Sequence, residues 1–165
     1  ALKAGKEPSL SDANRLHTEI ELRIPALLPE DYIADVNTRL SLYKQLASCK
    51  NSDDIEAFQI ECIDRFGLLP DAAKNLIAVA ELKLKARRVG IHKVEMTATG
   101  GTLEFNEDTP VDPGFIIQLV QTRNKMFKFE GSQKLRIVKK TETARERLAM
   151  VDGLIEEFAR EISQA

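Results

Sequence analysis

Two cysteines, two histidines and no apolar run of membrane-spanning length define what this 165-residue chain does without. A transmembrane helix needs about 20 consecutive apolar residues, and nothing here approaches that. Cys49 and Cys62 are too few for the disulfide framework of a small secreted domain and lack CxxC spacing. Both sit in helical-looking, apolar-periodic sequence and are expected to be buried small hydrophobes, with a reducing cytoplasm as the compartment. His17 falls in or next to a linker and His92 at a strand start, so no His-rich metal site can be composed. Nor is there a GxGxxG or a GxxxxGK followed by Ser or Thr to cradle a phosphate. Gly100-Gly101 is the only glycine pair, and it is expected to form the two-residue turn of a hairpin. Internal repeats and low-complexity stretches are absent too. The N-terminus, Ala1-Leu2-Lys3, has neither a signal-peptide core nor an initiator Met and reads as part of a longer chain.

What is present is globular. Hydrophobic residues make up 43% and charged residues 30% of the chain, a balance that excludes a disordered tail, and the length suggests a single core. Residues 1–17 read as the end of an earlier helix followed by a linker. From Thr18, Ile20, Leu22 and Ile24 alternate with charged residues in the period of a half-buried strand that Pro25 ends. Pro29-Glu30-Asp31 is expected to open a helix whose buried stripe is Ile33, Val36, Leu40 and Tyr43. A second helix begins near Asn51 and Ser52, buries Ile55, Phe58, Cys62 and Phe66, and stops at Gly67. Pro70 starts a third, with Leu76, Ile77, Ala80 and Leu84 inward, ending at Gly90.

The period then becomes two through Val94, Met96 and Ala98 and again through Leu103 and Phe105, a β-hairpin. Asp112-Pro113 starts a helix carrying Phe115, Ile116, Leu119 and Val120 inward. Short strands are predicted at 126–129 and 135–138, with Phe127 and Phe129 buried together. A last helix opens on a Thr143/Glu146 capping box and buries Leu148, Val151, Leu154, Ile155, Phe158 and Ile162. The sum is an α+β fold: a small, mainly antiparallel sheet packed with several helices and a long C-terminal helix.

The near-neutral net charge of −2 gives no global signature of a nucleic-acid binder, but it is a cancellation. Residues 30–64 hold eight acidic against three basic side chains, and residues 121–140 hold seven basic against Glu130 alone. On the second helix Asp54, Glu61 and Asp64 fall at i, i+7 and i+10, one acidic strip. A solvated face explains such a strip; so does a docking surface for arginines, which pair with carboxylates in directional fashion. The basic block offers Lys125, Lys128, Lys134 and Arg136 to phosphate, another domain or water, so a nucleic-acid-binding accessory role is the alternative function, readable as salt-dependent DNA binding. The carboxylates Glu104, Glu107, Asp108 and Asp112 lie in a turn between hairpin and helix, where acidic residues are common, and no catalytic or metal assignment is made for the chain.

The stretches Leu28-Pro29-Glu30-Asp31-Tyr32-Ile33, Arg39-Leu40-Ser41-Leu42-Tyr43-Lys44 and Asp64-Arg65-Phe66-Gly67-Leu68-Leu69-Pro70, followed by Gly90-Ile91, resemble the C-terminal domain of bacterial transcription-repair coupling factors. The likeness is strong over about residues 18–92 and continues to the final helix, which makes 18–165 the regulatory domain and 1–17 the tail of the preceding translocation module. It implies a non-catalytic module of a cytoplasmic ATP-driven DNA translocase that displaces stalled RNA polymerase and recruits nucleotide excision repair, with ATP and Mg bound elsewhere in the parent. In that family the domain docks on the UvrB-like N-terminal module and covers the surface that binds UvrA. Tyr32, Tyr43, Arg65 and Phe66 are expected to pack helices together. Glu61, Asp64 and Asp54 are assigned to the interdomain contact from the helix projection, not from the resemblance.

Overall fold

The structure, a computed structural model, describes residues 18–162. Where length suggests one core, the packing of the described residues gathers into two compact units: residues Arg23–Leu84, and residues 85–162 together with 18–22.

The first of these is helical. Pro29-Glu30-Asp31 does not open a helix. Its turn closes when the Pro29 carbonyl accepts the Tyr32 and Ile33 amides, both at 3.0 Å, and α1 (Val36–Ala47) begins only at Asp35, whose carboxylate accepts the Thr38 amide. The predicted buried stripe is corrected accordingly. Val36 and Leu40 are more than half exposed, and Leu42 and Leu46 face inward instead. α2 (Ser52–Phe66) is capped by Asn51, which accepts the Asp54 amide, and stops at Gly67 with φ 96°. α3 (Asp71–Arg88) follows and carries the chain from one unit into the other.

Leu28, Ile33, Leu42, Leu46, Ile55, Phe58, Cys62, Leu69, Ala73 and Ile77 form this unit's core, with Leu76, Ala80 and Leu84 packed against it. The two tyrosines do more than fill space. Tyr43 Oη accepts the Leu28 amide at 2.8 Å, and Tyr32 Oη donates to the Gly67 carbonyl at 2.8 Å and the Cys62 carbonyl at 3.2 Å. The latter ties the turn at Tyr32 to the C-terminal end of α2. The Tyr32 and Phe66 rings meet edge to face at 5.8 Å.

The other unit is built on a five-stranded sheet of order β1-β2-β3-β5-β4, from β1 (Glu19–Glu21), β2 (Ile91–Met96), β3 (Gly100–Phe105), β4 (Phe127–Phe129) and β5 (Lys134–Val138). The α+β expectation holds, but the sheet is mixed. β1 lies parallel to β2, Ile20 opposite Val94, while the remaining pairs are antiparallel. A parallel pair needs a long connection, here the whole of residues 22–90, and no local sequence signal announces it.

The glycine pair is not the hairpin turn. Thr97-Ala98-Thr99 connects the strands, closed by Thr97 N–H to the Gly100 carbonyl at 2.7 Å. Gly100 and Gly101 are the first residues of β3, where a β-carbon would run into the carbonyl of Ile137 and of Glu95 respectively. Close backbone approach requires glycine at both positions, and at Gly100 so does a positive φ of 145°.

α4 (Pro113–Thr122), capped by Asp112, and α5 (Ala144–Arg160), capped by Thr143, complete this unit. Glu146 reaches past the cap residue to accept the Glu142 amide at 3.0 Å, a variant of the predicted capping box. Phe105 and Phe115 both pack edge to face on buried Phe158, at 5.1 and 5.8 Å. The alternation of the strands leaves Leu103, Leu135, Ile137 and Phe127 on the buried face. The opposite face carries the cross-strand rows Glu19, Lys93, Glu104, Lys134 and Glu21, Glu95, Thr102, Arg136, Lys128. Phe129 departs from the expectation. It shares a face with Phe127 but is 47% exposed, because it lies at the strand's end, beyond the cover that buries Phe127.

Candidate interaction surfaces

On α2 the three predicted carboxylates share a side of the helix but are used differently. Glu61 accepts Gln45 Nε2 at 2.9 Å through one oxygen and Arg65 Nη1 at 2.8 Å through the other. These hydrogen bonds, Gln45 first, hold its carboxyl below the usual glutamate range. Asp54 accepts the Lys50 amide at 2.9 Å and so secures the start of its own helix. Asp64 is exposed.

Sequence reasoning missed two features of this surface. Arg65 lies within it, spanning Glu61 and the Phe66 ring, whose centroid is 4.8 Å from the guanidinium carbon. Ile60, one helical turn before Asp64, is 53% exposed, and Leu68 is 88% exposed. Helical projection from Asp64 could have found Ile60; Leu68 follows the helix-stopping glycine, where no period applies.

The basic block is less free than its sequence count. Arg123 is paired with Glu157 at 2.9 Å and Arg136 with Glu130 at 2.9 Å. Lys128 and Arg136 sit opposite each other across β4 and β5, with Lys134 in register with Glu104. Lys125 is exposed in the loop before β4.

The carboxylates between hairpin and α4 do not assemble. Glu104 faces His92, Oε1 to Nε2 at 3.4 Å, while His92 Nδ1 lies 2.9 Å from Asn106 Oδ1. Asp112 is occupied as a helix cap, accepting Gly114 N–H at 3.0 Å. Among the described residues no group of three or more His, Cys, Asp and Glu could hold a metal ion; His17 lies outside them. No helix described is long and apolar enough to cross a membrane.

A mixed sheet backed by helices, joined in one chain to a three-helix unit, is the fold of a known domain family. The family model described as the TRCF domain matches residues 22–116. The chain belongs to the TRCF domain family. It is 43% identical over 164 residues to the transcription-repair-coupling factor of Escherichia coli strain K12, covering 99% of this chain and 14% of that protein. The Haemophilus influenzae transcription-repair-coupling factor is 40% identical over 159 residues, covering 96% of this chain and 14% of the relative. A crystal structure of the C-terminal domain of transcription-repair coupling factor superposes with a TM-score of 0.67 at 25% identity, over 87% of this chain and 94% of that one. The chain thus spans about a seventh of the length of these curated relatives.

Proposed function

We propose that this domain is a non-catalytic, autoinhibitory docking module of a transcription-repair coupling factor in the bacterial cytoplasm. It closes on the UvrB-like N-terminal module of its own parent chain and masks the surface that takes UvrA. The parent is an ATP-driven DNA translocase that displaces stalled RNA polymerase and brings excision repair to the site; ATP, Mg, DNA and polymerase are the business of its other domains.

The observation that carries this reading is the composition of the α2 surface. Exposed Ile60 lies one helical turn from exposed Asp64, with Glu61 beside them, and apolar groups next to charged ones are how interfaces between folded units are built. Glu61 is already oriented by Gln45 and Arg65, so an incoming arginine meets a carboxylate with little ordering left to do. Asp54 stands at the edge of the contact, since its carboxylate serves the helix start.

Moving such a clamp from mostly closed to mostly open takes about 5.5 kcal/mol of bias, which polymerase binding and the ATP cycle of the parent supply. The test is a UvrA pull-down with the full-length parent. Reversing charge at Glu61 and Asp64 together raises UvrA capture and basal ATPase; wild-type capture by the double variant contradicts the placement of the interface.

A further inference from the structure

β4 ends the sheet, and its outer side carries backbone groups that the sheet does not use. In an antiparallel pair, successive residues alternate between bonding to the neighbour and pointing away from it. The bonds from Val138 N–H to the Met126 carbonyl, 2.7 Å, and from Glu130 N–H to the Lys134 carbonyl, 2.8 Å, fix the phase. Met126, Lys128 and Glu130 bond inward to β5, so Phe127 and Phe129 turn their N–H and C=O groups outward. The Arg123 main-chain carbonyl accepts the Phe127 N–H at 3.0 Å. The Phe127 carbonyl and both backbone groups of Phe129 have no hydrogen-bond partner among the described residues.

The side chains at this edge differ by face. Phe129 borders a groove of about 220 Å³ whose apolar lining includes Phe105, Ile116 and Leu135. Lys128 projects from the opposite face, and Lys125, Lys128 and Lys134 carry no ion pair among the described residues. Glu107 and Lys134 both touch the groove lining, so their opposite charges offset each other there, while Lys128 favours an acidic group on the opposite face.

We propose that the β4 edge accepts an extended peptide segment that alternates hydrophobic and acidic residues, adding a sixth strand to the sheet. Main-chain bonds to Phe129 hold the segment, its apolar side chains enter the groove, and its carboxylates meet Lys128 and its neighbours on the other face. A single-stranded nucleic acid fits less well. A base stacked on Phe129 would hold its phosphate away from Lys128, whereas a strand reaches both faces by its own alternation. The site lies in the sheet unit and is independent of the α2 reading.

The test is a titration of the chain, followed through its backbone amide resonances, with the hexapeptide Asp-Ile-Glu-Leu-Asp-Thr. It is run beside the same peptide N-methylated at alternate amides, a Lys-Ile-Lys-Leu-Lys-Thr control and a short oligothymidylate. Binding shifts the amides of residues 126–130 and slows exchange at Phe129. N-methylation weakens it by about tenfold, the loss expected for one or two hydrogen bonds. Phe129→Ala and Lys128→Glu each weaken it severalfold. Equal binding by the lysine or N-methylated peptide, shifts confined to other surfaces, or oligothymidylate binding without peptide binding would each overturn the proposal.

Discussion

Arg147 donates from Nη1 to the main-chain carbonyl of Leu22 at 2.8 Å, joining residues 125 positions apart in the chain. Its Nε donates to Thr141 Oγ1 at 2.8 Å and Nη2 to the Thr141 carbonyl at 3.1 Å, all in a buried setting. The planar fork of a guanidinium serves these separate acceptors at once, which a lysine cannot do. Arg147→Met therefore leaves buried acceptors without a donor and lowers unfolding free energy by about 2–3 kcal/mol. Arg147→Lys recovers only a minor part. Urea denaturation midpoints of the three proteins check both statements.

The two small residues of β3 and α5 should respond to alanine in opposite directions. At Gly101 a β-carbon meets the Glu95 carbonyl of the neighbouring strand, while at Gly153 it meets nothing within 4 Å. Gly101→Ala destabilises by about 2 kcal/mol or more through backbone displacement. Gly153→Ala stabilises by about 0.5–1 kcal/mol, the ordinary helix preference for alanine over glycine. Thermal melts of the pair, run side by side, give the signs.

These positions also show where sequence reasoning stops. α2 was legible because everything that defines it is local: Asn51 caps it, Ile55, Phe58 and Cys62 keep its period, and Gly67 ends it. The start of α1 was not, because Pro29-Glu30-Asp31 suits a turn as well as a helix, and Asp35 competes as the cap by bonding the Thr38 amide. The glycine pair pointed correctly to a hairpin and wrongly to its turn, since the close contact that demands Gly101 comes from a facing strand. Arg147 sits among apolar residues on α5 with no local hint that Leu22 waits for it. For the α2 surface, the carboxylate positions follow from 3.6-residue periodicity, whereas the Gln45 and Arg65 bonds to Glu61 depend on helix packing and rotamer.

Glu61 makes a pH-dependent contribution whose sign is fixed by its partners. Hydrogen bonds from Gln45 and Arg65 lower its folded pKa below the ordinary 4.5. The added stability is therefore fully present above about pH 4.5 and lost as pH falls through the lower folded value. Because the pair is more than a third exposed, the amount is a few tenths of a kcal/mol, about that of a surface ion pair. The stability difference between wild type and Glu61→Gln is predicted to be measurable at neutral pH and to vanish in acid, where the glutamate is itself protonated.

The thiols should separate by access. Burial raises the pKa of both Cys49 and Cys62, and Cys62 is fully enclosed in the helical unit while Cys49 is partly open. At neutral pH a thiol reagent labels Cys49 slowly and Cys62 only as the protein unfolds, because the thiolate is the reactive form. Labelling of Cys62 at the rate of a free thiol would show that the α1, α2 and α3 core opens readily.

The docking account is tested most directly by calorimetric titration of this chain, in trans, into the isolated UvrB-like N-terminal module of its parent. The account predicts a saturable one-to-one complex that weakens as salt rises and is lost when Glu61→Lys and Asp64→Lys are combined, with UvrA competing for the wild-type complex. A wild-type chain that fails to bind, or a charge-reversed chain that binds as well as wild type, would contradict it.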